Sequence, residues 1–262
     1  RSLSSAASDV YKRQEYLEIA RSRNIDIEKI CQRVSFFFAV HNNFFEEIAK
    51  YRAARRIWSN ILKDNFGVKN ENSCKFRVHS QTGGVTLTAQ QPLNNVVRVS
   101  MQALAAVLGG TQSLHTNSFD EALGLPTEES ATIALRTQQI IAYESEVADS
   151  IDPLAGSYYI EYLTDEIEKK VYEYLEIIKD RGGMIKCIED NFIQGEIESS
   201  AFDFQIELEN KDRVVVGVND FKATEEKEMP IQEIDPMLEK DQVQRLNSLK
   251  KKRDNELVEK CL

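Results

Sequence analysis

Between Arg77 and Thr127 the chain reads RVHSQTGGVTLTAQQPLNNVVRVSMQALAAVLGGTQSLHTNSFDEALGLPT, an order of polar groups, glycines and one apolar stretch that core packing alone does not require. Arg77, His79 and Gln81 are spaced by two, so on a strand all three project from one face. Such groups, once buried, need partners, which either a bound ligand or the neighbouring backbone supplies. Ser113 and His115 repeat the spacing in TQSLHT, which favours the ligand. The Gly83-Gly84 pair lets the backbone approach a bulky partner, or simply forms a turn. Asn117 and Glu121, four apart, share a face if NSFDEAL is helical and could grip a ribose or another polyol; alternatively Asn117 caps a short helix. The adjacent Asp120 and Glu121 would diverge on a helix, which argues against a carboxylate pair of the glycosidase kind.

The elements that must position these groups form three units, each a short apolar strand, a polar loop and an amphipathic helix. VSFFFAV (34–40) precedes a helix over 42–66; FRVHS (76–80) precedes PLNNVVRVSMQALAAVLGG, with Pro92 in its first turn and Gly109-Gly110 at its stop. TQSLHT (111–116) precedes a helix capped by Thr127 or Ser130. Strands alternating with helices predict a parallel α/β sheet with crossover helices. In such sheets the strand ends and the loops after them carry ligands. Arg33, Ser35, His41, Asn42 and Asn43 occupy the corresponding stretch of the first unit. Phe36, Phe37, Phe38, Phe44 and Phe45 read as core, and RAARR (52–56) as a helix face with the capacity to reach an acidic partner.

Beyond residue 160 the chain is predicted to be mostly helical, with RVVVGVNDF (213–221) as a strand, 222–235 as a linker and 236–262 as one charged helix. The first fourteen residues, RSLSSAASDVYKRQ, lack periodicity and read as an unstructured leader foreign to the fold. A net charge of −10 over 262 residues argues against nucleic acid or an anionic membrane as the main partner. No run of apolar residues is long enough to span a bilayer, and a cytoplasmic location is expected. Cys31, Cys74, Cys187 and Cys261 lie far apart, so reduced thiols are expected rather than disulfides or a metal cluster. Dinucleotide-binding, P-loop, nucleophile-elbow and zincin motifs do not occur.

RVHSQTGGVTLTAQQPLNNVVRV, GGTQSLHTNSFDEALGLPT, ESEVADSIDPLAGSYYIEYLT and RVVVGVNDF resemble the large, barrel-forming subunit of methylmalonyl-CoA mutase and related adenosylcobalamin-dependent acyl-CoA mutases. The resemblance covers essentially all of 15–262. It implies a TIM (β/α)8 barrel whose last three units lie in residues 15–160, followed by a mostly helical C-terminal extension. It further implies that Arg33, Ser35, Arg77 and Ser113 bind the acyl-CoA substrate, and that His79 and Gln81 lie near the reacting groups. Gly84 is implied to meet the corrin, with Asn117, Glu121 and Ala122 on the adenosyl side.

The implied reaction is cobalt–carbon homolysis, hydrogen abstraction by the resulting radical, migration of the thioester group and return of the hydrogen. A cofactor that carries the difficult step explains why no acid–base triad stands out. The family's substrate-carboxylate residues and its cobalamin-binding DxHxxG signature have no counterpart here. The resemblance therefore implies a separate cobalamin-binding domain or small subunit, a hetero-oligomer, and no turnover by this chain alone. A sibling mutase acting on isobutyryl-CoA or another acyl-CoA remains an alternative, as does a non-catalytic half-barrel interaction module.

Overall fold

The computed structural model describes residues 2–225 and 229–261, with side chains described from residue 10. Helix α1 (Ser2–Ser22) and the short α2 (Ile27–Cys31), capped by Asp26, lead into β1 (Phe36–Val40). Then follow α3 (Phe44–Phe66), β2 (Val78–Thr82), α4 (Asn94–Leu108), β3 (Ser113–His115) and α5 (Glu128–Tyr143). The remainder is helical: α6 (Tyr158–Asp180), α7 (Met184–Glu189), α8 (Phe192–Glu209), α9 (Pro236–Lys252) and α10 (Asn255–Cys261).

The strands form one parallel sheet in the order β1-β2-β3, as the strand–helix alternation predicts. Its register aligns Phe37, His79 and Ser113 in one row and Ala39, Gln81 and His115 in another. Because side chains alternate across a strand, these rows share one face. The opposite face carries Phe36, Phe38, Val40 and Val78, all buried against the helices. Phe36 meets Trp58 edge-on at 5.0 Å and Phe76 at 4.2 Å, so the sheet and α3 share one aromatic core. Phe37 and Phe45, expected in that core, are about half exposed: Phe37 points to the other face, and Phe45 packs edge-on against Tyr159.

Several polar groups inside this layer are paired, although Trp58 Nε1 and Glu47 Oε1 are not. Ser80 bonds to Tyr51 Oη and, at 2.7 Å, to Thr111 Oγ1. Lys50, fully buried, donates to the Ala39 carbonyl at 2.7 Å and to Glu47. Burial pushes the Glu47 carboxyl up, against the opposing pull of Lys50. The RAARR face turns inward to α6 and the turn before it: Arg52 pairs with Asp152 and Glu161, and Arg56 with Asp165 and Glu168. Thr127 caps α5 by accepting the Ser130 N–H, and Gly110, at φ +77°, follows the end of α4. Gly109 is fixed by packing instead, since a Cβ there would lie 2.5 Å from Tyr51 Cδ2.

Three expectations differ from the structure. No break separates residues 2–14 of the expected leader from the fold: α1 runs through them, Val10 and Tyr11 are buried, and the Arg13 guanidinium donates to the Ser35 carbonyl at 3.3 Å; residue 1 lies outside the described residues. Helix propagated from the apolar turns that follow extends back through residues of adequate propensity, including Ala6 and Ala7. RVVVGVNDF is not a strand; Gly217, at φ +84°, folds it into a tight turn in which its N–H reaches the Asp220 carbonyl at 2.8 Å, leaving one isolated bridge. The terminal helix is two helices, divided where Asp254 turns its carboxylate to the Glu256 and Leu257 N–H groups, each at 3.0 Å. Residue 262 lies outside the described residues.

Candidate functional site

The polar face of the sheet holds His79, Gln81 and Ser113, and the other candidates fall into two groups at the strand ends. Arg33 and Ser35 precede β1 and Arg77 precedes β2, which puts them at the N-terminal edge. Gly84 follows β2, while Asn117, Glu121 and Ala122 follow β3, at the C-terminal edge. Five strand residues lie between the edges along β2, a separation of roughly 17 Å at about 3.3 Å per residue.

At the C-terminal edge four of the candidates meet. Gln81 Nε2 donates to Asn117 Oδ1 at 3.0 Å, and the Asn117 N–H donates to Thr82 Oγ1 at 2.9 Å. Gly84 stands against the same asparagine: a Cβ there would lie 2.9 Å from Asn117 Nδ2 and 3.6 Å from Glu121 Oε1. Asn117 is buried, yet its Nδ2 has no hydrogen-bond partner. An unpaired buried amide donor is costly unless an acceptor reaches it. Glu121 and Ala122 are exposed beside it.

Asn117 and Glu121 converge without a helix. Residues 119–123 form turns closed by bonds such as Leu123 N–H to the Asp120 carbonyl at 2.7 Å, and Asn117 caps nothing. Proximity that helical spacing would have supplied comes from the turn and from Gly84. Along the sheet, His79 Nδ1 lies 2.7 Å from Ser113 Oγ, and the Phe37 ring covers the imidazole at 5.2 Å between centroids. His115, level with Gln81, is exposed.

The N-terminal group is looser. Arg77 does not join the His79–Gln81 row, because β2 begins after it; its Nη2 donates to the Asn72 carbonyl at 3.2 Å, and its buried Nη1 has no partner. Arg33 and Ser35 are exposed. Between the β1 exit, the loop at Val85–Thr88 and α8, a cleft of about 540 Å³ opens beside the C-terminal cluster. None of the described residues forms a His/Cys/Asp/Glu cluster able to hold a metal. Nor is any described helix long and apolar enough to cross a membrane.

Two residues at this edge escaped the reading of the sequence. Asn95 and Gln102, both on α4, are fully buried and bond to the loops around Gly84 and Asn117. Their signal was present: two amides seven residues apart fall on one helix face, here among Val99, Ala103 and Ala106.

A parallel α/β sheet with one polar face, and a cradle of Gly84, Gln81, Asn117 and Glu121 holding an unpaired buried amide, defines an α/β protein whose candidate site lies at its strand exits. Residues 4–262 match the methylmalonyl-CoA mutase family, and the chain belongs to it. It is 45% identical over 248 residues to the large subunit of 2-hydroxyisobutanoyl-CoA mutase from Aquincola tertiaricarbonis, covering 94% of this chain and 44% of that protein. It is 45% identical to methylmalonyl-CoA mutase from Escherichia coli (strain K12), covering 95% of this chain and 35% of the relative. For the methylmalonyl-CoA mutase large subunit of Porphyromonas gingivalis the identity is 44%, with 95% and 35% covered. The chain thus spans between a third and a half of the length of these relatives. Its relatives are mutases, a class of isomerase.

Proposed function

We propose that the chain forms the last three strand–helix units of a TIM (β/α)8 barrel in an adenosylcobalamin-dependent acyl-CoA mutase, interconverting (R)-methylmalonyl-CoA and succinyl-CoA. One observation carries the reading: Gly84, Gln81, Asn117 and Glu121 form a cradle whose buried Asn117 Nδ2 lacks an acceptor. A ribose hydroxyl satisfies that donor, and the exposed Glu121 carboxylate accepts from a second hydroxyl. The absence of a side chain at Gly84 lets Asn117 press against that loop, whose backbone is where we place the corrin.

When bound, adenosylcobalamin supplies a carbon-centred radical that takes a hydrogen from the substrate and returns it. The chain's residues bind, orient and shield. Gln81 fixes Asn117 and so the orientation of the ribose; His79, held by Ser113 and covered by Phe37, presents its imidazole toward the acyl group from the sheet face. Arg33, Ser35 and Arg77, at the far edge, are spaced to receive the phosphate end of the coenzyme A arm, for which guanidinium groups are suited. The cobalt ligand comes from a cobalamin-binding domain or small subunit, and turnover requires that partner together with the rest of the barrel. Relatives named as large subunits support a heteromeric assembly.

A second reading is a sibling mutase, favoured by the 45% identity to a 2-hydroxyisobutanoyl-CoA mutase subunit, level with the methylmalonyl-CoA enzymes. The test is to express the whole reading frame with its cobalamin-binding partner, add adenosylcobalamin, and follow succinyl-CoA by chromatography. Interconversion with methylmalonyl-CoA is expected. Consumption of 2-hydroxyisobutanoyl-CoA or isobutyryl-CoA instead would transfer the chain to the sibling activity, and no cobalamin-dependent isomerisation of any acyl-CoA would overturn the proposal.

A further inference from the structure

We infer that Asn95 and Gln102 are positioning residues that lock the three strand-exit loops into the shape of the cofactor cradle, an inference that rests on the function proposed above. Every polar atom of both amides is used, and all but one of the bonds, that from Arg98 on the same helix, end on a loop leaving a strand. Gln102 Oε1 accepts the Gly83 N–H at 2.9 Å, while its Nε2 donates to Thr86 Oγ1 at 2.6 Å and to Asn42 Oδ1. Asn42 lies in the loop after β1, and Gly83 and Thr86 lie in the loop after β2.

Asn95 spans the other gap. Its Nδ2 donates to the Thr88 carbonyl at 2.9 Å and to the Phe119 carbonyl at 2.8 Å, and its Oδ1 accepts from the Thr88 N–H at 3.1 Å and Arg98 Nη1 at 2.8 Å. Phe119 belongs to the loop after β3, midway between Asn117 and Glu121. One helix face therefore joins the first loop to the second and the second to the third.

The partners are adjacent to cradle residues rather than scattered through the core. Gly83 immediately precedes Gly84, and its own N–H also reaches the Val40 carbonyl at 2.7 Å, so close that a Cβ on Gly83 would lie 2.9 Å from that oxygen. A helix needing only to pack would use apolar residues at these two positions, as it does at Val99 and Ala106, since buried amides gain little net stability. Their value lies in direction: hydrogen bonds fix loop atoms to within tenths of an ångström, which an apolar contact does not.

The test uses the complete enzyme with its cobalamin-binding partner and compares Gln102→Met, Asn95→Leu and Asn42→Ala with the unaltered protein. Three quantities are measured: adenosylcobalamin affinity by absorbance titration, KM for the acyl-CoA, and amide hydrogen exchange across 83–88 and 117–121 without cofactor. Gln102→Met is expected to weaken adenosylcobalamin about tenfold, to leave the acyl-CoA KM within about twofold, and to speed exchange at 83–88. Asn95→Leu should weaken the cofactor similarly and speed exchange at 117–121. The exposed Asn42 can be changed without endangering the fold; Asn42→Ala should weaken the cofactor about threefold at an unchanged melting temperature. Unchanged cofactor affinity, or equal losses for cofactor and acyl-CoA with a fall in melting temperature, overturns the inference. If the unaltered enzyme binds no adenosylcobalamin, the proposed function fails, and unaltered exchange in Gln102→Met would then remove the clamp as well.

Discussion

Gly84 and Asn117 approach so closely that a single Cβ at position 84 would sit 2.9 Å from the Asn117 side-chain nitrogen. The glycine belongs to the loop after β2 and the asparagine to the loop after β3, so the contact records how tightly two strand exits are pressed together. Gly84→Ala must displace the asparagine, whose Oδ1 is held by Gln81. Adenosylcobalamin affinity of the assembled enzyme should fall about tenfold or more, with melting temperature lowered by only a few degrees. Equal affinity in titration would show that the cradle tolerates a methyl group and is not the cofactor's seat.

Lys50 is a costly side chain to neutralise. It is buried, bonded to the Ala39 carbonyl on β1 and paired with Glu47. Lys50→Met leaves a carboxylate in the core without its cation, and breaking such a pair costs about 3–5 kcal/mol. Denaturant unfolding should report a loss of that order, and Lys50→Met with Glu47→Gln should recover part of it, since the stranded charge is then gone.

Between α3 and α6 the arginine pairs differ in worth. Arg56 is 43% exposed and its partner Asp165 is 66% exposed, so water screens their attraction. A double-mutant cycle on that pair should give no more than about 1 kcal/mol. Arg52, 14% exposed and shared by Asp152 and Glu161, should lose more on replacement by alanine.

The thiols provide a pH-dependent check. Cys31, Cys74 and Cys187 are buried and Cys261 is exposed, so a thiol reagent at pH 8 should modify one cysteine quickly and the other three only on unfolding. Burial pushes the Cys31 thiol up to about 11. Its folded value thus exceeds its unfolded one; the associated stability is whole below about pH 8.5 and is lost as pH rises toward 11. Cys31→Ala should flatten that part of the pH–stability curve, measured by thermal melts from pH 8 to 11.

Much of the fold was legible because its signals are local. Apolar runs bounded by Pro92, Gly109-Gly110 and Thr127 marked two helix starts and one stop, and strand–helix alternation implied the parallel sheet. The His79–Gln81 and Ser113–His115 spacing put those four residues on one face, as found. Where local signals misled, a tertiary fact intervened. RVVVGVNDF is rich in β-branched residues, but among the described residues no strand lies beside it to pair with, and Gly217 turns it. Arg77 has the right spacing for the row, yet β2 starts one residue later.

The sequence by itself determined the family, the order of the three strand–helix units, and that His79, Gln81, Ser113 and His115 share one face, because each depends on residue type and spacing along the chain. Only the tertiary structure decided that Gly84, Gln81, Asn117 and Glu121 share one cradle and that Asn95 and Gln102 stand behind it. Those meetings cross from one loop to the next, through parallel pairing in a fixed register and the close packing of α4 on the sheet, and no periodicity within a single segment encodes a distance between two segments.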